Sequence, residues 1–292
     1  LLAKFLEPQM LLQSAPHTLA NKLLRMISPP KERSDRELLT GFASHRDEDA
    51  FAELVRRHGR MVLAVTRRVT GHSQDAEDAF QAAFLVLARR AGQIERPELL
   101  ANWLYGVAYH TAREARASRR RVLEQSVASL PETLASSPPE HNDELGRVID
   151  EEVAALPDKY RCAVVLCDLQ GLSRATAARQ MKIPEGTLSS RLAYARKLLA
   201  AKLTRRGITS TSGGVLALLG GEVNGVVLPR EMVILTARVA AQTRIGGLLP
   251  PELVSPTVSH LTEGVLKMMF VNRWQLTLTT ACMTCRLLAL GA

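Results

Sequence analysis

The chain has 292 residues, 46% of them hydrophobic and 23% charged, enough for one large domain or two to three small ones with modest cores. A formal charge of +9, from 38 Lys and Arg against 29 Asp and Glu, favours a polyanionic partner, because neutralising phosphates releases counterions. Four cysteines do not form a disulfide framework in a chain of this size, and a reducing, cytoplasmic setting fits them.

Residues 1–33 lack the basic start and continuous apolar run of a secretion signal and read as an N-terminal arm, with one loosely amphipathic stretch over Thr18–Ile27. From Ser34 a helix start is marked. Ser34 or Asp35 can cap, Glu37 falls three residues after Ser34, and Leu38, Leu39 and Phe42 supply an apolar face. A second helix over Glu48–Val69 turns Phe51, Leu54, Val55, Val62 and Val65 inward and Arg56, Arg57, Arg60, Arg67 and Arg68 outward. Gly71-His72-Ser73 ends it, and Ser73 or Asp75 is expected to cap the next.

Two further helical patterns follow. DAEDAFQAAFLVLARR places Ala76, Ala79, Phe80, Ala83, Phe84 and Leu87 on one face and Asp75, Glu77, Asp78 and Gln81 on the other. After a loop over Gln93–Glu98, ANWLYGVAYHTAREARASRRR buries Leu104, Val107, Ala108, Thr111 and Ala115. The remaining surface is shared by Asn102, Tyr105, Tyr109, Arg113 and Arg116. Flat rings beside guanidinium groups suit single-stranded nucleic acid, the rings by stacking and the cations by pairing with phosphate.

Residues 122–142 hold Pro131, Pro138 and Pro139 among serines and threonines, with no apolar period, and read as a flexible linker. Helices resume over residues 143–206. Pro157 separates Glu144–Leu156 from Asp158–Asp168. A short helix Arg174–Met181 and a long one from Thr187 to Leu203 flank a tight turn. Ala177 sits where the two must approach and Ile183 plugs the turn, the pattern of a helix-turn-helix. The long helix carries Arg191, Arg196, Lys197 and Lys202 and no acid, whereas a merely solvated helix mixes signs. Residues 207–292 turn Gly-rich and then apolar, with helical patterns at Val215–Leu219, Met232–Ala241 and Leu261–Phe270. The apolar stretch from Trp274 is interrupted by Arg286, too soon for a bilayer of about 30 Å, which needs about 20 residues. A buried or interfacial helix fits better than a membrane span.

The order of these blocks, with LPDKYRCAVVLCDLQGLSRATAARQMKIPEGTLSSRLAYARKLL closing it, resembles bacterial extracytoplasmic-function sigma factors of the sigma-70 family over residues 35–206. The resemblance implies an all-α fold. Region 2 would occupy residues 34–121, a linker 122–142, a region 4 helix-turn-helix 143–206, and a mostly helical extension of unknown role 207–292. It implies core RNA polymerase and promoter DNA as partners, with an anti-sigma factor or other regulatory protein and peripheral membrane association of the extension left open. Glu77, Asp78 and Gln81 would contact core polymerase. Asn102, Trp103, Tyr105, Tyr109, Arg113 and Arg116 would serve the opened −10 strand, with Trp103 turned partly to the core by its helical phase. Gly186, Thr187, Ser190, Arg191 and Arg196 match the family's recognition helix for the −35 element. Arg191 has the reach for a base edge, while Thr187 and Ser190 suit phosphates near the helix N-terminus.

Arg174-Ala175-Thr176, Ser189 and Tyr109-His110 depart from the family's commoner residues and leave the preferred promoter sequence open. The competing reading is a helix-turn-helix regulator whose first domain senses a ligand or dimerises. It does not account for an acidic helix followed by an aromatic-basic one. An enzyme is disfavoured, since no P-loop, H-E-x-x-H or G-x-S-x-G occurs. No cofactor or metal is expected: the histidines are scattered, and Cys282 and Cys285 form a lone C-x-x-C with no completing ligands.

Overall fold

The computed structural model describes residues 33–127, 141–208, 221, 223, 225–243 and 252–269, and among these there are helices and no strands. The expected segments Thr18–Ile27 and Val215–Leu219, the central part of the linker, the Cys282–Cys285 pair and the apolar stretch from Trp274 lie outside the described residues. No helix of the described residues is long and apolar enough to cross a membrane.

The first bundle consists of α1 (Asp35–His45), α2 (Glu48–Thr70), α3 (Ser73–Arg90) and α4 (Leu100–Val127). Its start is the expected capping box. The Ser34 hydroxyl accepts from the Glu37 amide while the Glu37 carboxylate accepts from the Ser34 amide, so two donors at the helix N-terminus are satisfied reciprocally. Arg46 and Gly71, both in the left-handed region, close α1 and α2. The start of α3 differs from expectation: His72 occupies the cap position and its side chain makes no capping bond. α2, α3 and α4 pack pairwise around a core in which Phe42, Phe51, Phe80 and Phe84 form a chain of tilted and edge-on rings. Two short 3-10 turns, Ala91–Gln93 and Pro97–Leu99, make up much of the connection from α3 to α4.

The second bundle consists of α5 (His141–Ala154), α6 (Asp158–Val164), α7 (Arg174–Met181) and α8 (Glu185–Arg205). α6 continues through a π-helical turn, Val165–Leu169. Between α7 and α8, Lys182 adopts φ 55°, and the Ile183 amide donates to the Ala178 carbonyl at 3.1 Å. That single left-handed residue swings the chain so that Ile183 packs on the core, to which the fully buried Ala177 also belongs. The extension adds α9 (Arg230–Gln242) and α10 (residues 256–269). α9 packs on α2 and α3 of the first bundle.

One outward assignment is reversed. Arg68 is 6% exposed, and its guanidinium forms two bonds to the Asp150 carboxylate, Nε to Oδ2 at 2.6 Å and Nη2 to Oδ1 at 3.2 Å. A local pattern assigns arginine to solvent; here a carboxylate from α5 makes its burial tolerable.

Candidate polymerase and nucleic-acid interfaces

The first turns of α3 present the acidic face. Glu77, Asp78 and Gln81 are each partly exposed there. Burial, and then the neighbouring Asp75 and Glu77 carboxylates, push the Asp78 carboxyl up from its ordinary value, against a hydrogen bond from Gln74. Toward the C-terminus the helix changes character. Ala82, Ala83, Phe84, Leu85, Val86, Leu87 and Ala88 are all buried, so this half is covered on every side.

On α4 the expected open surface is instead turned toward the second bundle. Asn102 is 7% exposed; its amide donates to Asp158 Oδ1 at 3.0 Å and its carbonyl oxygen accepts from Arg161 Nε at 3.2 Å. Tyr105 is fully buried, its hydroxyl donating to the Asp150 side chain at 3.0 Å with the Asp150 carbonyl at 3.1 Å. Burial first, then the Asp150 charge, push its phenol well above the ordinary range, so it stays a neutral donor. Tyr109 is buried as well, and burial followed by Glu151 raises its phenol. The physical reason is that two helices of the second bundle meet this side of α4: Asp158 and Arg161 of α6 engage Asn102, and Asp150 of α5 engages Tyr105. Trp103 packs partly against the core, in line with its helical phase. Arg113 is exposed, and Arg116 reaches back to the Val69 carbonyl at 3.2 Å.

Beside this surface lies a cavity of about 480 Å³, lined among others by Trp103, Gly106 and His110 of α4, Arg161 of α6 and Met268 and Met269 of α10. All three parts of the chain meet there.

The N-terminal turns of α8 are open. Gly186, Thr187 and Ser190 are exposed and Arg191 is half-buried, pairing with no carboxylate among the described residues. Arg196 is placed differently, bound to Asp168 at 2.5 Å and anchoring α8 to the π-helical turn. One residue of this face was not singled out from the sequence. Tyr194, 49% exposed, shares the stripe of Thr187 and Ser190, and its ring lies 4.9 Å from that of Tyr160, which carries the Lys159 ammonium 4.9 Å from its centroid. The seven-residue spacing from Thr187 was the available signal.

Residues 54–122 match the model of sigma-70 region 2, and residues 146–199 that of sigma-70, region 4. The chain is 34% identical over 172 residues to the ECF RNA polymerase sigma factor SigM of Mycobacterium tuberculosis, covering 59% of this chain and 86% of that one. It is 27% identical over 187 residues to the ECF RNA polymerase sigma factor SigE of Mycolicibacterium smegmatis, covering 61% and 71%. Among solved structures, CnrH in complex with the cytosolic domain of CnrY matches at 22% identity and a TM-score of 0.33, covering 59% of this chain and 99% of that one. With both regions matched in order, and a relative at this identity spanned over most of its length, the chain belongs to the extracytoplasmic-function sigma factors of the sigma-70 family.

Proposed function

We propose that this sigma factor docks on core RNA polymerase through the Glu77, Asp78 and Gln81 face of α3. In this reading α4 receives the opened −10 strand with Asn102, Trp103, Tyr105, Tyr109, Arg113 and Arg116, and α8 reads the −35 element with Gly186, Thr187, Ser190 and Arg191. Arg196 supports that helix through Asp168 and adds charge near the DNA backbone. The factor performs no covalent chemistry; its binding energy is spent on positioning polymerase and holding an unpaired strand. Its place of action is the cytoplasm, where polymerase and promoter are found. Residues 34–121 and 143–206 form the two working domains.

The observation that carries the reading is the pairing, in one chain, of a half-exposed acidic turn on α3 with an open face on α8 along which no acid follows Glu185. A helix N-terminus with exposed Thr187 and Ser190 side chains and an arginine that pairs with no carboxylate among the described residues suits a phosphate backbone and a base edge together. Strand capture by α4 further requires the two bundles to part, since Asn102, Tyr105 and Tyr109 face the second bundle.

Run-off transcription with purified core polymerase tests the proposal. The chain added alone should start transcripts at defined promoters. A helix-turn-helix activator or repressor would yield none without another sigma factor present, and that outcome would overturn the reading.

A further inference from the structure

The buried half of α3 and the extension answer each other. Asp78, Ala82, Leu85 and Arg89 recur at helical spacing and form one stripe along α3. At its N-terminal end the stripe is open, with Asp78 and Gln81 partly exposed. Further along it is closed: Ala82 and Leu85 are fully buried and the Arg89 side chain is 11% exposed. Arg89 is ion-paired to Glu263 of α10, while α9 packs on α2 and α3. The fit extends to α2. Gly59 is buried, and a Cβ added to it would lie 2.6 Å from Leu228 Cδ2, so the absence of a side chain leaves room for Leu228. Within α9, Val233, Thr236, Ala237, Val239 and Ala240 are buried, and in α10 Val258, Leu261, Thr262 and Val265 are. The extension is therefore docked through an apolar face, with an ion pair at its edge.

We infer that the extension is an internal competitor of core polymerase, seated on the continuation of the surface that Asp78 and Gln81 begin. The inference rests on the proposed polymerase role of those two residues. A polymerase helix that follows the stripe beyond Gln81 meets α9 and α10, so full engagement requires the extension to lift. Met268 and Met269 of α10 border the same cavity as Trp103 and His110, so lifting it also uncovers part of α4. The extension thereby couples access to the polymerase face with access to the strand face. A chain whose stripe is free only a small fraction of the time binds core polymerase more weakly by that fraction; freeing the stripe from about one tenth occupancy to full would tighten binding about tenfold.

The test uses the full chain and two variants that loosen the extension without touching Asp78 or Gln81. Leu228→Glu places a carboxylate against the Gly59 face, and Glu263→Arg sets a cation against Arg89. Core polymerase affinity is measured by fluorescence anisotropy, and backbone hydrogen exchange at residues 82–89 is measured in parallel. Both variants should speed exchange there and bind core polymerase about tenfold more tightly. Faster exchange with unchanged or weaker binding would overturn the inference. Unchanged exchange in both variants would also overturn it, because the extension would then not be what covers the stripe. A control separates this from the underlying assignment. If Asp78→Lys with Gln81→Lys leaves core binding intact, the polymerase assignment fails. If that pair abolishes binding while the loosening variants do not tighten it, only the role of the extension fails.

Discussion

The Arg68 guanidinium of α2 and the Asp150 carboxylate of α5 form a two-bond ion pair buried between the two bundles, with the Tyr105 hydroxyl of α4 donating to the same carboxylate at 3.0 Å. Three helices from the two bundles thus share one charged node. Gly146 lies over it, since a Cβ there would fall 2.7 Å from Arg68 Cδ.

Replacing Asp150 with Ala removes the carboxylate that Arg68 and the Tyr105 hydroxyl share, while the hydroxyl keeps its bond to the backbone carbonyl of residue 150. Breaking a buried pair in this way costs about 3–5 kcal/mol, an upper value here because the bundles can part and let water reach the guanidinium. Asp150→Ala should lower the melting temperature and speed hydrogen exchange over residues 102–109. Arg68→Met with Asp150→Leu should recover most of the loss, because an apolar pair of similar volume leaves no charge stranded. An Asp150→Ala chain with unchanged melting and exchange would show that the node does not hold the bundles together.

This node also marks where the sequence stops being informative. The capping box at Ser34 was legible because both partners lie within one turn. The turn around Lys182 was legible because Ala177 and Ile183 follow a short-range pattern. Arg68 was misplaced because its partner is 82 residues away. Periodicity records which face of a helix is apolar, and says nothing of a charged face that finds a charged partner. Tyr105 and Tyr109 were assigned to an open surface for the same reason: α4 has one face for its own bundle and a second for α5. On the functional side, the α8 face from Gly186 to Arg191 was legible as an acid-poor stripe, while the cover over α3 was not. The run from Ala82 to Ala88 is apolar all round, which is itself a mark of burial on every side.

Cys162 offers a probe of the second bundle. Burial, and then the nearby Asp158, push its thiol up to about 12. At pH 8 it is therefore protonated as well as covered, and the thiolate is the nucleophile. Iodoacetamide should leave Cys162 unmodified in the folded chain and label it fully in denaturant, read by peptide mass spectrometry. Rapid native labelling would show that the interior around α6 opens.

Asp78 should show a conflict between stability and binding. Its folded-state carboxyl is raised, so the ionised form subtracts from stability at neutral pH, and the penalty fades as the pH falls through that folded value. Asp78→Asn should therefore stabilise the free chain at pH 7 by about 0.5 kcal/mol, a figure kept small because the group is partly solvated. The gain should shrink in acid, where the native carboxyl is neutral too. The same substitution should weaken core polymerase binding. Melting curves at several pH values check the first effect and anisotropy titration the second; a gain that grows in acid would contradict the sign.

Arg191 and Tyr194 should separate the two kinds of contact on α8. Arg191 pairs with no carboxylate among the described residues; on the proposed reading it contacts a base edge, so Arg191→Ala should cost about 1–3 kcal/mol on the preferred −35 sequence and flatten preference at one base position. Tyr194 is half-exposed, braced against Tyr160 at 4.9 Å, and shares the stripe of Thr187 and Ser190, so its hydroxyl is expected to serve as a phosphate contact. Tyr194→Phe, which keeps the ring pair and removes only the hydroxyl, should weaken all duplexes alike, by about 1 kcal/mol for one lost hydrogen bond. Binding isotherms on duplexes carrying each single-base change at −35 distinguish the two. A uniform loss for Arg191→Ala would make it a phosphate contact, and a position-specific loss for Tyr194→Phe would make the tyrosine a reader of sequence.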